Sequence, residues 1–371
     1  MGSKVEGTRP SGVQQTNNNL PKGTTTPTGK SVTPSATVDN SGAASKLGET
    51  KFSGNMMAYK VAAAQPPQGR EPITPTVANG LSTQNGTNAK YTVGDAKRPP
   101  IQHDNGFLQN PANANDPTPI ATKPPTQKDK DDYGRQKTLT NLGLIYQGLD
   151  PIDKKVIDLG SGLIPDGMKD QYEKYKGKDL KDGLQAYDHF LNGKGKDRTF
   201  SYDKFVKDDP SGKTILANGT RDIQKSAEDI YKQMIAKDPS LKGKEVTFKL
   251  TGSQIGVGGK NTNFPYPQTE NWQKAIGAHQ VWMSADITVK PNANGKPDFS
   301  AKMTLHAEDR FNFNPGMTDI ATGTPDAVNG RFETVGLAKQ YMNYATLQRD
   351  VKWAEGNGEQ GVQNMLDGKT R

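Results

Sequence analysis

The stretch HQVWMSADITVKPNANGKPDFSAKMTLHAED, residues 279–309, decides the fold of this chain. In its second half, apolar Met303 and Leu305 alternate with polar Thr304, which is the period of a β-strand with one buried face. The Asn-Gly pair at 294–295, between the two halves, favours a tight turn. The stretch therefore predicts a β-hairpin of an antiparallel sheet.

Two further segments continue the period of two on either side of this hairpin. EVTFKLTG at 245–252 alternates apolar and polar residues, and YATLQRDVKWAE at 344–355 offers a final strand. Alternation of this kind is typical of a β-strand with one buried face. We therefore predict an antiparallel β-rich domain over residues 243–356, followed by a tail at 357–371 that frays or forms a short helix.

Residues 133–242 show helical spacing instead, with apolar residues recurring at intervals of three and four. The clearest helix is expected to begin at Thr220 as its cap, and its buried stripe includes Ile223 and Ile230. We therefore predict a small helical region over 133–242. Together with the sheet, this gives the fold class α+β.

Residues 1–132 form the low-complexity part of the sequence. Fifteen of the 25 prolines lie there, but only four of the 26 aromatic residues do, so this part has little apolar surface to bury. We predict a disordered leader over 1–132. Its Ser/Thr/Pro/Asn-rich composition resembles the leader regions of bacterial effectors exported by contact-dependent secretion systems, and a plain linker or tail is the alternative.

Composition excludes several classes of function. The chain has no cysteine, which removes disulfides, thiolate metal sites and a cysteine nucleophile. Its net charge of +8 is spread as lysine among acidic residues, which favours solubility, and no nucleic-acid partner is expected. No apolar run approaches the ~20 residues of a membrane helix, and the first residues lack the hydrophobic core of a Sec signal.

The sequence lacks the common catalytic motifs, so candidate chemistry rests on single residues. The glycines around residue 258 do not match a phosphate-binding loop, and no His-Glu-x-x-His motif occurs. A zinc site would need His279 and His306 together with carboxylates. The alternative is that each histidine is an ordinary hydrogen-bonded residue of a strand.

The densest group of polar residues follows the predicted hairpin. A long loop from Asn312 to about Asn329 is expected after the strand, with apolar anchors in it. Its carboxylates could perform acid/base chemistry, or bind a hard divalent cation together with asparagine oxygens. The alternative is that these side chains bond to the backbone of the loop itself. The expected anchors are Phe311, Phe313 and Ile320.

The segment DRFNFNP, Asp309–Pro315, resembles the active-site segment of colicin M-type bacteriocins. Enzymes of that family cleave lipid II, the lipid-linked precursor of peptidoglycan, at its pyrophosphate linkage in the periplasm. Their motif reads Asp-x-Tyr-Asp-Phe-Asn and is followed by His-Arg. Asp309, Phe313 and Asn314 match the motif. The wider pattern around this segment also resembles C-terminal domains of bacterial polymorphic toxins.

The segment departs from that motif at three points. Phe311 replaces the tyrosine, Asn312 replaces the second aspartate, and GMTDIATG stands where His-Arg would follow. The resemblance therefore implies an altered catalytic set, with Asp309 as its acid/base or metal-binding carboxylate.

These observations favour a bacterial effector or toxin that is secreted without a Sec signal and acts in a target cell or its envelope. The resemblance implies an envelope component as target, namely a lipid-linked phosphate or cell-wall precursor, and hydrolysis as the reaction. Expected partners are a secretion machinery or chaperone and an immunity protein. A non-enzymatic binding, structural or delivery protein is the alternative. The candidate catalytic residues are His306, Asp309, Asp319, Asp326 and Arg331.

Overall fold

The computed structural model describes residues 89–160, 169, 172–173, 175–259 and 261–369. The predicted leader up to residue 88 lies outside the described residues. The strands are β1 (Tyr91–Val93), β2 (Arg198–Thr199), β3 (Val246–Gly252), β4 (Ile255–Gly256), β5 (Gln280–Pro291), β6 (Pro297–Phe311) and β7 (Tyr341–Ala354). The helices are α1 (Gln127–Gly148), α2 (Pro151–Leu159), α3 (Lys181–Asn192), α4 (Tyr202–Asp208), α5 (Pro210–Lys237), α6 (Glu270–Ala275), α7 (Ala327–Thr334) and α8 (Gly358–Leu366).

The strands form one sheet in the order β1-β3-β5-β6-β7-β2, with β4 paired to β5. The predicted hairpin is confirmed, because β5 and β6 pair antiparallel down to Pro291 opposite Pro297. Its turn contains Gly295 in the left-handed region at φ 76°, as the Asn-Gly pair predicted. The short β2 pairs parallel with β7, so the sheet is mixed at that edge. The fold class α+β is confirmed.

Helix α5 and the sheet share a hydrophobic core, and a second cluster of buried apolar residues joins α3 and α7 to the ends of β6 and β7. Odd-numbered residues of β6, such as Met303 and Leu305, are buried on the face that α5 covers, which we call the inner face. Ile223 and Ile230 of α5 are buried in the same cluster, as their spacing predicted. Because burying one such side chain stabilises the fold by roughly 1.5–3 kcal/mol, the predicted regions 133–242 and 243–356 depend on each other for stability.

The prediction that Thr220 caps a helix is wrong. Helix α5 begins ten positions earlier, where Asp209 accepts a hydrogen bond from the Ser211 amide and Pro210 occupies the first turn. Thr220 lies inside the helix, and its hydroxyl donates to the Leu216 carbonyl at 2.8 Å. A buried threonine can satisfy its hydroxyl on the preceding turn, which a sequence pattern does not distinguish from a cap.

The predicted leader boundary at residue 132 is also wrong, because residues 89–132 belong to the folded part. β1 pairs with the edge of β3, and Tyr91 is fully buried there. The chain then crosses the even-numbered face of β6, which we call the outer face, as residues 94–126. This crossing segment is held mainly by polar contacts, such as those of Arg98 with Glu308. Composition alone does not predict order of that kind.

The tail at 357–371 forms a short helix, α8, whose Val362 and Met365 are buried. Arg221 of α5 donates to both carboxylate oxygens of Glu359, at 2.8 and 2.7 Å, which fixes α8 against α5. Within the described residues, none of the helices has the length and apolar character needed to cross a bilayer.

Candidate functional site

The predicted catalytic residues at the end of β6 lie on opposite faces of the sheet. Side chains alternate between the two faces of a strand, so Asp309 lies on the inner face, whereas His306 and Glu308 lie on the outer face. His306 and Asp309 therefore cannot act on one substrate atom. The prediction that they belong to a single site is wrong for this pair.

Asp309 lies in the interior of the protein. It is 0% exposed and stands opposite Asn343 of β7, on the same face as the ring of Tyr341. Burial raises the pKa of the Tyr341 hydroxyl above its ordinary value, and the negative charge of Asp309 raises it further. Tyr341 donates to the Ala186 carbonyl at 2.9 Å. In this arrangement the Asp309 carboxylate has no contact with solvent.

His306 is positioned by an aromatic stack. Its ring lies 3.6 Å from the ring of Trp282 at an interplanar angle of 5°, and Nε2 is 2.9 Å from the Ser284 hydroxyl. Burial lowers the pKa of His306 from 6.5 to about 4. The ring is therefore neutral at pH 7.

The predicted zinc pair is likewise separated. His279 is fully buried between the Gly277 carbonyl, at 2.9 Å from Nδ1, and the Tyr202 hydroxyl, at 3.1 Å from Nε2. Burial lowers its pKa to about 4. It has the hydrogen-bonded role that was the alternative for each histidine. Across the described residues, no three histidine or acidic side chains come together in a metal-binding arrangement.

Two of the loop carboxylates bond to the backbone of the loop. Asp319 accepts from the Thr322 amide at 2.7 Å, and Asp326 accepts from the Asn314 amide at 2.9 Å. The alternative of a self-satisfied loop therefore holds for these contacts. Phe313 is a fully buried anchor, as predicted, whereas Ile320 is 48% exposed and anchors nothing.

Arg331 lies on helix α7, although the sequence placed it in the loop. Its guanidinium forms an ion pair with Asp132 of α1 at 2.9 Å and lies over the Phe332 ring. Its Nε donates to the Val328 carbonyl at 3.0 Å. Arg331 therefore ties α7 to α1.

Asp319 is the member of the predicted set that lines a cleft, which has room for about 140 Å³ between α1, α3, α6 and the loop. In the cleft, Asp319 forms an ion pair with Lys274, and Lys274 also lies 3.4 Å from Glu270. The rest of the lining combines neutral polar side chains with apolar and aromatic ones. The apolar and aromatic residues are Tyr175, Leu180, Leu184, Tyr187 and Val328.

A second polar cluster was missed because four of its six members lie outside the predicted site segment. It joins the crossing segment to the end of β6 and to the residues between α7 and β7. Burial, together with a smaller contribution from the nearby Asp104 carboxylate, raises the pKa of Glu333 from 4.5 to about 8. The members, which we call the outer-face cluster, are Asp104, Asn105, Arg310, Asn312, Glu333 and Gln340.

Asp104 could not be predicted from the sequence, because composition assigned it to the leader. Asn312 was singled out only as a departure from the bacteriocin motif, and in the structure its amide donates to Asp104 Oδ1 at 2.9 Å. The replacement therefore supplies a donor where the motif has a carboxylate.

Comparisons with known proteins give a single distant similarity to report. No family model matches the chain, and no curated protein does. Among solved structures, the chain is similar to PaeM, a colicin M-like bacteriocin produced by Pseudomonas aeruginosa, with 12% sequence identity and a TM-score of 0.26. The similarity covers 48% of this chain and 52% of PaeM, so the chain spans about half the length of that protein.

Proposed function

We propose that this chain is a secreted bacterial effector or toxin whose folded part hydrolyses a lipid-linked phosphate of the cell envelope. The cleft beside Asp319 would bind the substrate. The observation that carries the proposal is the Asp319–Lys274 pair in a cleft that is also lined by apolar and aromatic side chains. An amphipathic ligand needs both kinds of surface within one site.

The charges around the cleft suit a phosphate group. Glu270 lies between two ammonium groups, since Lys178 is 2.9 Å from its Oε2 and Lys274 is 3.4 Å from its Oε1. A bound phosphate would compete with these carboxylates for the lysines, which act as point charges. Asp319 is only 4% exposed and stands next to Lys274, where it could accept a proton from an attacking water.

The chemical step would be an ordinary hydrolysis. Water attacks phosphorus, its proton passes to Asp319, and the phosphorus–oxygen bond to the leaving group breaks. The segment that resembles the bacteriocin motif opens the loop that carries Asp319, which is consistent with an envelope target. On this proposal, a secretion machinery or chaperone and an immunity protein remain the expected partners.

Expression in the bacterial periplasm and cytoplasm tests the toxin proposal. Wild type should arrest growth, and Asp319→Asn and Lys274→Met should not. Asn can still accept from the Thr322 amide, so the loop keeps its bond while the charge is lost. The control is Asp132→Asn, which removes an ion pair outside the cleft and should still arrest growth. Harmless expression of wild type would refute the proposal.

A second variant separates the cleft from the motif. If Asp309→Asn abolishes growth arrest while Asp319→Asn retains it, the reaction depends on the buried carboxylate and the cleft is not the catalytic site. The reaction itself is tested with the purified full-length chain and a synthetic polyprenyl pyrophosphate, with phosphate release as the readout.

One observation favours the non-enzymatic alternative. Asp319 already accepts a hydrogen bond from its own loop and pairs with Lys274. On this alternative, the cleft binds a phosphate headgroup without hydrolysing it. Retention of a polyprenyl phosphate on the protein, without release of phosphate, would identify a binding module.

A further inference from the structure

The outer-face cluster lies where three separate parts of the chain meet. Asp104 comes from the crossing segment, Asn312 follows directly after β6, and Glu333 is on α7. Gln340, just before β7, completes the set. The Asn312 amide donates to the Asp104 carbonyl at 3.1 Å, and the Gln340 backbone amide donates to Glu333 Oε1 at 3.2 Å. These bonds form two pairs, which meet at Asn105, the neighbour of Asp104, because Asn105 Oδ1 lies 3.5 Å from Gln340 Nε2.

Each of these four side chains has a buried oxygen with no hydrogen-bond partner within the described part of the chain. They are Asp104 Oδ2, Asn312 Oδ1, Glu333 Oε2 and Gln340 Oε1. Glu333 is 1% exposed and Asn312 is 0% exposed. When both carboxyls are ionised, all four atoms are acceptors, so they cannot satisfy one another.

The orientation of the amides is fixed by their other bonds. Asn312 Nδ2 donates to both Asp104 Oδ1 and the Asp104 carbonyl, so its Oδ1 cannot exchange places with the nitrogen without losing two hydrogen bonds. Gln340 Nε2 is 3.5 Å from Asn105 Oδ1. The unpaired atoms of these two amides are therefore carbonyl oxygens.

Four unsatisfied acceptors in one place would cost several kcal/mol, at roughly 1–3 kcal/mol for each buried group. A ligand that offers only positive charge or donors would remove that cost. Two carboxylates and two amide carbonyls form an all-oxygen set, which is the preference of hard cations and not of zinc or copper. Calcium in particular accepts amide carbonyls and completes its shell with water.

Arg310 provides the local counter-charge. Its guanidinium is held by the Asn105 side chain. Burial raises the pKa of both the Asp104 and the Glu333 carboxyl, and the positive charge of Arg310 opposes that rise in each. Arg310 is half-buried and so keeps contact with water, which screens its repulsion of a second cation. Arg310 holds the Asn105 side chain in place and donates to none of the four unpaired oxygens.

We propose that Asp104, Asn312, Glu333 and Gln340 bind a hard divalent cation, with calcium preferred over magnesium. Such an ion would join the crossing segment, the end of β6 and α7. The site lies on the outer face and does not depend on the cleft or on the proposed hydrolysis.

Calorimetric titration of the chelator-treated full-length chain with calcium chloride tests this site. Wild type should bind one calcium ion per chain, and calcium should raise the Tm relative to chelator because the ion binds only the folded state. Glu333→Gln and Asp104→Asn should weaken binding about tenfold or more, as expected for loss of a direct ligand. The matched control is Asp319→Asn, which removes a buried carboxylate of the cleft and should bind calcium as wild type does.

Several outcomes would overturn the proposal. Wild type that binds no calcium or magnesium would do so directly, as would undiminished binding by a folded Glu333→Gln. Loss of binding in Asp319→Asn alone would place the ion in the cleft. If Glu333→Gln does not fold, Gln340→Met, which removes one carbonyl of a half-buried side chain, should still reduce the affinity, and unchanged affinity would refute the site. Tighter binding of magnesium would refute the calcium preference.

Discussion

His306 and Asp309 are three residues apart on β6 and face opposite sides of the sheet. The outer-face His306 stacks on Trp282, whereas the inner-face Asp309 is enclosed next to Tyr341. A catalytic pair would require both side chains at one surface. Of the predicted catalytic residues, Asp319 is the one that lines a cleft where a ligand could bind.

His306 should contribute to stability and not to catalysis. Because burial lowers its folded-state pKa to about 4, the stability that it contributes is present above its unfolded pKa of about 6.5 and is lost as pH falls towards 4. His306→Gln should therefore lose less stability between pH 7 and pH 4 than wild type in denaturant unfolding. Growth arrest at pH 7 should persist in this variant, and its loss would return His306 to the active site.

The stability that Glu333 contributes should depend on pH in the opposite direction. Its folded-state pKa is raised to about 8, so the stability associated with the neutral acid is fully present below about pH 4.5 and is lost as pH rises through 8. Glu333→Gln does not titrate and keeps the shape of the neutral acid. When the free energy of unfolding is measured in the presence of chelator, the difference between variant and wild type should shift in favour of the variant by on the order of a few kcal/mol from pH 5 to pH 9. Parallel stability curves for the two proteins would contradict this prediction.

Two substitutions of glycine by alanine should change the stability of the protein in opposite directions. A Cβ on Gly330 would come within 2.2 Å of the Phe107 ring, whereas a Cβ on Gly134 would meet nothing within 4 Å. Gly330→Ala should therefore destabilise the protein by about 1–3 kcal/mol, because the ring that packs the crossing segment on α7 must move. Gly134→Ala, in an exposed part of α1, should stabilise it by up to about 1 kcal/mol. Thermal unfolding of both variants measures the difference, and equal effects would show that this packing is not tight.

The Arg331–Asp132 ion pair should matter little for activity. Arg331 is about one third exposed, and pairs of that kind contribute about 0–1 kcal/mol. Arg331→Gln should lower the free energy of unfolding within that range and should still arrest bacterial growth. If Arg331→Gln folds but is harmless, the arginine contacts the substrate after all.

The sequence by itself determined the elements that depend on local periodicity. The β5–β6 hairpin followed from alternation and an Asn-Gly turn, and the helical stripe of α5 followed from its spacing, because both patterns reflect which side of an element is buried. The start of α5 was misplaced, since a buried threonine and a capping threonine look alike in sequence.

Only the tertiary structure decided which side chains meet. The crossing segment is ordered by contacts such as Arg98 with Glu308, which are 210 residues apart, and composition records nothing of such a partner. The same holds for Asp104 and Glu333, whose proximity and raised pKa arise from long-range packing and burial. The sequence located one loop of interest, whereas the cleft at Asp319 and the outer-face cluster exist only because distant segments pack together, and burial then fixes the charge and hydrogen bonding of their side chains.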